Sequence, residues 1–529
     1  MIKVNELLPN APKPGISRRD FIKQALAAGL TLSVATSFWD KTAHAVSPKR
    51  GGKLRQALHG GSVGDTLDPA TIVDSHPIST SWQVRNNLTE ISPIGDIIPE
   101  LAESFEASSD AKTWVFKLRK GVEFHNGKTF EAEDVIYSIN YHRSPDTATG
   151  GKAAVSGIES IKADGKHTVI FNLKAGNADF PFLMADWHLP IAPAGTKGKD
   201  WDKGIGTGPF ILTAWDPGVR SVSKRNPNYF KERLPYFDEV ETLHLPDMVA
   251  QASALLTDQV DAISLVDLKT IDRFSKVPRI RILDAAATRH FTIPMHCDQS
   301  PFSNKDLRLS LKYAVDRKEL LQKVLRGHGY LGNDHPIGKQ QKYFAADLPQ
   351  RHLDFDKAKY HLKKSGLENV KLQLSVGEVF PGATAMAELF KESVNKIGVD
   401  ITLIRVPTDG FWSNIWLKKP MCVAFWAGRP TVDWMFTVGY AADSPWNSGK
   451  WKNDRFNYLL LKARAEMDQE KRREMYFEMQ SICRDDAGTI IPLFSNIVMG
   501  VSDKLGIPDQ ISGSFAMDGL RNHERWWYI

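Results

Sequence analysis

The sequence predicts a mixed α/β fold, and three observations predict it. Apolar spacing switches between a two-residue and a helical period every ten to fifteen residues or so, with Gly and Pro at the switches. The stretch Thr113–Ile139 carries a strand, a turn and a helix in succession. The chain is 529 residues long, enough for two to four domains with sizeable cores.

Gly51–Leu58 reads as an opening strand, followed by the turn-prone Thr66-Leu67-Asp68-Pro69-Ala70. In Thr113–Ile139, Trp114, Phe116 and Leu118 alternate with Val115, Lys117 and Arg119, as in a half-buried strand. Asn126-Gly127 supplies positive φ at low cost, so the chain turns there. Ala132, Val135, Ile136 and Ile139 then form one apolar helical face, with Glu131, Glu133 and Asp134 in a first turn where the helix dipole favours anions. Gly206-Thr207-Gly208-Pro209-Phe210 is a tight corner leading into a strand over Ile211–Trp215. A helix is expected to begin within Pro301–Arg308 and end near Ala314–Arg317, with Leu307, Leu311, Ala314 and Val315 on one side, and further helices over Ala383–Ile397 and Phe456–Cys483. Met421–Phe425 reads as a strand that Gly428 and Pro430 break into a loop. The terminal Trp526-Trp527-Tyr528-Ile529 is aromatic enough to be docked in a core.

The N-terminus has the order of an export signal. Ser17-Arg18-Arg19-Asp20-Phe21-Ile22-Lys23 precedes an apolar run over Ala25–Val34, too short to span a bilayer, and Ala43-His44-Ala45 offers a cleavage site. The paired arginines resemble the twin-arginine type. No cysteine follows the run, which excludes a lipid anchor on an N-terminal Cys. These features predict a signal peptide over residues 1–45 and a periplasmic protein. The formal charge is +6, and Lys3, Lys13, Arg18, Arg19, Lys23 and Lys41 outnumber Glu6, Asp20 and Asp40 by three. A processed chain is therefore only mildly basic, with no Lys/Arg run, which argues against nucleic acid as a partner. Cys297, Cys422 and Cys483 lack metal-ligand spacing and leave at least one thiol outside any intramolecular disulfide. No nucleophile elbow, P-loop or zinc-protease helix is present. Neither a cofactor nor a metal is expected.

Leu118-Arg119-Lys120-Gly121-Val122-Glu123-Phe124-His125-Asn126-Gly127-Lys128, followed by Ala132, Asp134, Val135 and Ser138, resembles the signature of the peptide/nickel class of extracellular solute-binding proteins (family 5). These are the ligand-capturing subunits of ABC importers. Leu67-Asp68-Pro69, Pro99–Phe105, Gly206–Phe210, Asn226–Phe230 and the stretch from Pro301 to Arg317 resemble further elements of that family. The resemblance implies a large, three-subdomain binding protein whose two lobes meet at a hinge and a ligand cleft. It places lobe one at residues 46–290 with 495–529, and lobe two at 291–494. It also implies a monomer that delivers a small-molecule ligand to ABC permease subunits in the inner membrane and performs no catalysis. The alternative is a periplasmic hydrolase, or a ligand-delivering sensor or chaperone, on the same fold.

The candidate ligand wall is Phe425-Trp426-Ala427-Gly428-Arg429-Pro430-Thr431-Val432-Asp433-Trp434. Peptide binders of the family carry Trp-x-x-Asp at the comparable place, and that Asp holds the peptide α-ammonium. Here Trp426 keeps the aromatic, but Arg429 stands where the Asp would be. A guanidinium in a closed cleft needs an anionic partner. That partner is either an acidic group of the ligand, which the guanidinium fork suits, or an intramolecular carboxylate such as Asp433. Trp412, Trp416, Trp434 and Trp446 fall in the same region and are candidates for stacking or for core. The candidate ligand-binding set is thus Trp426, Arg429, Asp433, Trp434, Trp446 and Trp412. Arg289, His290 and His296 fall where the chain is expected to cross between lobes; Asp74, Ser75, His76 and Trp82 are further cleft candidates, and His335 lies in a polar loop.

Overall fold

The computed structural model describes residues 48–274 and 276–529. The expected signal peptide lies outside the described residues. The strands that matter for the site are β1 (Lys53–Leu58), β2 (Phe210–Asp216), β3 (Arg220–Arg225), β4 (Glu239–His244), β5 (Ala262–Ile263) and β6 (Ile280–Ala285). They continue with β7 (His290–Pro294), β8 (Gly329–Leu331), β9 (Ala424–Trp426), β10 (Thr489–Ile490), β11 (Leu493–Ser495) and β12 (Ile497–Ser502).

One sheet has the order β6-β12-β5-β1-β4-β3-β2. β1 runs parallel to β4, with Leu58 opposite His244, and parallel to β5. The other sheet has the order β8-β11-β7-β9, with β10 also paired to β7. Two segments join these sheets: residues 286–289, between β6 and β7, and Asn496, between β11 and β12. Crossings this short let two bodies rotate as units while keeping their cores intact.

The segment that predicted the fold forms as its pattern requires. Thr113–Leu118 is a strand with Trp114, Phe116 and Leu118 buried. It sits in a four-stranded antiparallel sheet with 102–107, 168–173 and 158–163. Gly127 takes φ +82°, the left-handed region where glycine costs least. The helix Ala132–Arg143 opens with a reciprocal cap between Glu131 and Asp134 and buries Ala132, Val135 and Ile139. Trp114, Phe116, Phe171 and Val135 share this unit's core. Each large buried side chain contributes on the order of 1.5–3 kcal/mol.

The second body holds two cores. One gathers Ile293, Leu307, Leu374 and Phe390 around the parallel pair 371–376 and 400–405; the other gathers Trp426, Phe436, Phe456 and Tyr476. The helix expected over Phe456–Cys483 is two helices, Asp454–Ala465 and Gln469–Asp486. The break comes at Asp468, whose extended backbone and carboxylate cap the amides of Glu470 and Lys471. The three cysteines are free thiols.

The C-terminal tail is docked. Trp526 is fully buried, and Trp527–Tyr528 pairs with Leu505–Gly506. Beside it Glu90, Glu100 and Glu524 bring carboxylate oxygens within 4.8 Å of one another. Lys231, Arg521 and Arg525 meet them, with Arg521 at 2.7 Å from Glu100 and Lys231 at 2.9 Å from Glu524. Asp518, 3.1 Å from Arg525, adds a fourth buried acid, and the cluster is a buried anchor for the tail. No helix among the described residues is long and apolar enough to cross a membrane.

Candidate functional site

The first sheet's parallel strands set the position of the cleft. β1, β4 and β5 all direct their carboxyl ends to the end where the chain crosses to the second sheet. In open α/β sheets, ligands bind outside those ends. His59, His244 and Ser264 stand there, and His59 Nδ1 lies 3.2 Å from the Ser264 hydroxyl. Burial holds the His59 imidazole below its ordinary pKa, with Arg289 and His244 adding to the shift and Asp74 opposing it.

The facing wall is built on β7 and β9, which pair with His290 opposite Trp426. An aromatic cluster grows from it. Trp416 is central: its ring centroid lies 5.6 Å from Trp412, 5.9 Å from Trp426 and 6.4 Å from Trp446. Trp426 lies 6.2 Å from Trp446, and Trp412 lies 5.4 Å from Phe425. Trp412 and Trp446 are 44% and 46% exposed, whereas Trp426 is 6% exposed. The cluster therefore has a packed base and two open indole faces, a surface suited to a flat or apolar ligand body. Trp412, Trp426 and Trp446 from the expected set come together here. Trp434 does not join their ring contacts; it is half-buried on the helix Val432–Gly439, its amide bonded to the Thr431 cap.

After β9 the chain turns at Gly428, φ +79°. A Cβ there would lie 2.1 Å from Thr288 Oγ1, so only glycine lets this loop approach the crossing segment so closely. Arg429 follows, with its guanidinium carbon 5.5 Å from the Trp426 ring centre. Its one side-chain hydrogen bond among the described residues goes to the carbonyl of Gly428, 2.6 Å away. No described carboxylate lies within 4 Å of it. Asp186, from the first body, is the carboxylate whose field reaches it, and burial lowers the Arg429 pKa despite that field.

Asp433 is the acid the sequence offered as a partner for Arg429, and it is engaged elsewhere. It is 7% exposed and its Oδ2 accepts from Arg464 Nε at 3.1 Å. Burial pushes its pKa up to about 6, against the pull of Arg464 and with a further push from Asp179. Asp179 is itself 2.7 Å from Arg472. Asp433 thus belongs to a buried carboxylate–guanidinium group between helices, and its side chain is used before any ligand arrives.

Arg289, at the end of the crossing segment, repeats the pattern of Arg429. Its guanidinium lies 4.6 Å from the Phe425 ring centre, no described carboxylate lies within 4 Å, and its buried Nε has no partner. His290 is buried with its Nδ1 3.0 Å from the Thr288 carbonyl oxygen, and its pKa is lowered to about 4 by burial. His296 is mostly buried and meets Gln299; His335 is buried inside the second body. In the first body, His76 is fully buried with its ring 6.3 Å from His244, and Trp82 donates to Asn87. Asp186 takes His188 Nδ1 at 2.7 Å. Arg464 and Asp186 are members of this neighbourhood that the sequence did not mark. The proximity of Trp412 and Trp416, four residues apart, was the one local signal for the cluster's centre.

The sequence profile of bacterial extracellular solute-binding proteins, family 5 middle, matches residues 96–448. The probable D,D-dipeptide-binding periplasmic protein DdpA of Escherichia coli (strain K12) is 24% identical over 498 residues, covering 90% of this chain and 94% of that one. The structure of HbpA2 from Haemophilus parasuis superposes with a TM-score of 0.79 at 22% identity, over 88% of this chain and 99% of that one. The periplasmic binding protein AgaA of A. tumefaciens R10, in complex with agropinic acid, superposes with a TM-score of 0.73 at 23% identity, over 90% and 99%. The fold these two structures share with this chain is the two-lobed periplasmic binding fold.

Proposed function

This chain belongs to the bacterial extracellular solute-binding proteins of family 5, and from that premise we propose that it captures a small organic solute bearing an anionic group and hands it to the permease of an ABC importer. The lobes of this reading are residues 46–290 with 495–529, and residues 291–494. Closure brings the carboxyl ends of β1, β4 and β5 against the aromatic wall, and the ligand's contacts with both lobes set the closed population. The protein acts in the periplasm as a monomer after removal of residues 1–45, and it binds without turnover.

One observation carries the reading on ligand charge. Arg429 stands where the resemblance to peptide binders of the family expects an Asp, and no described carboxylate lies within 4 Å of it. A half-buried guanidinium against Trp426 repels an α-ammonium and favours a carboxylate or similar group through its planar fork. The open faces of Trp412 and Trp446 would take the ligand body.

Two probes of one shape test this by calorimetry. N-acetyl-Ala-Phe carries only a carboxylate, and Ala-Phe amide carries only an ammonium. The acetylated probe should bind and the amide should not, and Arg429→Ala should weaken the acetylated probe by tenfold or more, in line with the roughly 1.5–3 kcal/mol of a charge-assisted hydrogen bond. Unchanged affinity in the Ala variant would sink the assignment. Product analysis of the same mixtures should show both probes intact; cleavage would instead favour a hydrolase.

A further inference from the structure

The arginine at the crossing between lobes, like Arg429, has no described carboxylate within 4 Å, and the two flank the end of one ladder. His290 sits opposite Trp426, so Arg289 precedes one member of that pair and Arg429 follows the other by three. Each guanidinium rests on an aromatic ring, Phe425 at 4.6 Å and Trp426 at 5.5 Å. Neither has a described carboxylate within 4 Å. The side chain of Arg289 makes no hydrogen bond among the described residues, and its Nε is buried without a partner. A structural arginine at this depth is ordinarily tied to a carboxylate, as Arg464, Arg472 and Arg521 are here.

The acid of the first lobe whose field reaches this pair is Asp186, acting on Arg429. Asp186 is held by the amide and Nδ1 of His188. Asp74 and Arg289 act with opposite sign on His59, whose neutral ring burial favours. Arg289 and Arg429 therefore remain two cationic forks with no described carboxylate within 4 Å. Burial lowers the pKa of both guanidiniums. An occupant that neutralises one fork alone leaves the other desolvated when the lobes close.

We propose that Arg289 and Arg429 together select an organic dianion, a solute with two carboxylate-type groups separated by a body that stacks on the tryptophan cluster. This rests on the reading of Arg429 given above and adds a second, independent contact at the lobe crossing. Arg289 reads the group nearer the hinge, and Arg429 reads the group nearer the loop.

The test uses the α,ω-dicarboxylates from succinate to suberate and benzylsuccinate, each paired with its own half-amide, which keeps the shape and removes one charge. Calorimetry on the wild type should find at least one diacid bound about tenfold or more tightly than its half-amide, the size expected of one charge-assisted fork. Arg289→Gln should bring that diacid down to its half-amide while moving the half-amide by less than about threefold, and Arg289→Lys should restore part of the preference. Matching thermal unfolding of the variants shows that the fold is retained. Equal binding of diacids and half-amides to the wild type overturns the dianion proposal and leaves the Arg429 reading standing. Equal loss of both by Arg289→Gln also overturns it. If no member of the series binds, the dianion proposal falls and the Arg429 reading rests on N-acetyl-Ala-Phe; if half-amide binding survives Arg429→Ala, both readings fall.

Discussion

Arg464 Nε lies 3.1 Å from Asp433 Oδ2, and in taking that carboxylate it leaves Arg429, four residues before Asp433, without an acid of its own. The pairing removes Asp433 as the intramolecular partner that the sequence offered for Arg429. A guanidinium neutralised by its own loop would be scaffold; one left on a tryptophan face is available to a ligand.

Asp433 gives the first prediction. Burial raises its pKa to about 6 from an ordinary 3.8. The folded state therefore holds this proton to a higher pH than the unfolded chain does, and stability falls as pH rises from about 4 to about 6, then levels. Asp433→Asn removes this dependence. Relative to wild type, the variant should gain about 1–2 kcal/mol between pH 4 and pH 7, measured by urea denaturation at each pH. A difference that stays constant with pH would show that the buried carboxyl does not titrate in this window.

The pair Asp179–Arg472, at 2.7 Å with both side chains under 10% exposed, joins the segment after the four-stranded sheet to the helix Gln469–Asp486. Ala178 adds a backbone bond to the carbonyl of Arg464. Arg472→Ala leaves Asp179 buried and unpaired, and should cost about 3–5 kcal/mol. The double variant Asp179→Leu with Arg472→Met should cost much less than the single, because no charge is stranded. Denaturation midpoints of the two should therefore differ clearly; equal losses would mean that packing, and not charge, holds this contact.

The tryptophans should separate by exposure. Trp446→Ala removes a ring that is 46% exposed, so stability should change by under about 1 kcal/mol, while binding of the acetylated dipeptide should weaken by about 0.5–1.5 kcal/mol. Trp426→Ala, at 6% exposure, should cost about 3–5 kcal/mol of folding stability. Chemical denaturation with parallel titration checks both; a large stability loss in the Trp446 variant would place that ring in the core.

Local pattern made much of the fold legible. The strand Thr113–Leu118, the turn at Gly127 and the capped helix after it depend on neighbours within a few residues, so their spacing reports them directly. The break at Asp468 was missed because the apolar period runs on through it, while the cap that ends it is a single side chain. Arg429 was marked by a departure at one place in a motif. Its electrostatic surroundings were not legible: Arg464 lies 31 residues from Asp433, and Arg472 lies 293 residues from Asp179. Such pairings come from topology, which periodicity does not encode. Trp434 illustrates the same limit, since a place in sequence among other tryptophans did not put its ring among theirs.

The most direct test of the central claim reverses the charge at Arg429. Arg429→Asp puts an acid in place of the base. Calorimetry with N-acetyl-Ala-Phe and Ala-Phe amide should show the wild type preferring the carboxylate probe by tenfold or more, and the variant losing that probe and gaining the ammonium one. An unchanged order of affinities in the variant would contradict the account, because the loop would then not be reading ligand charge through residue 429.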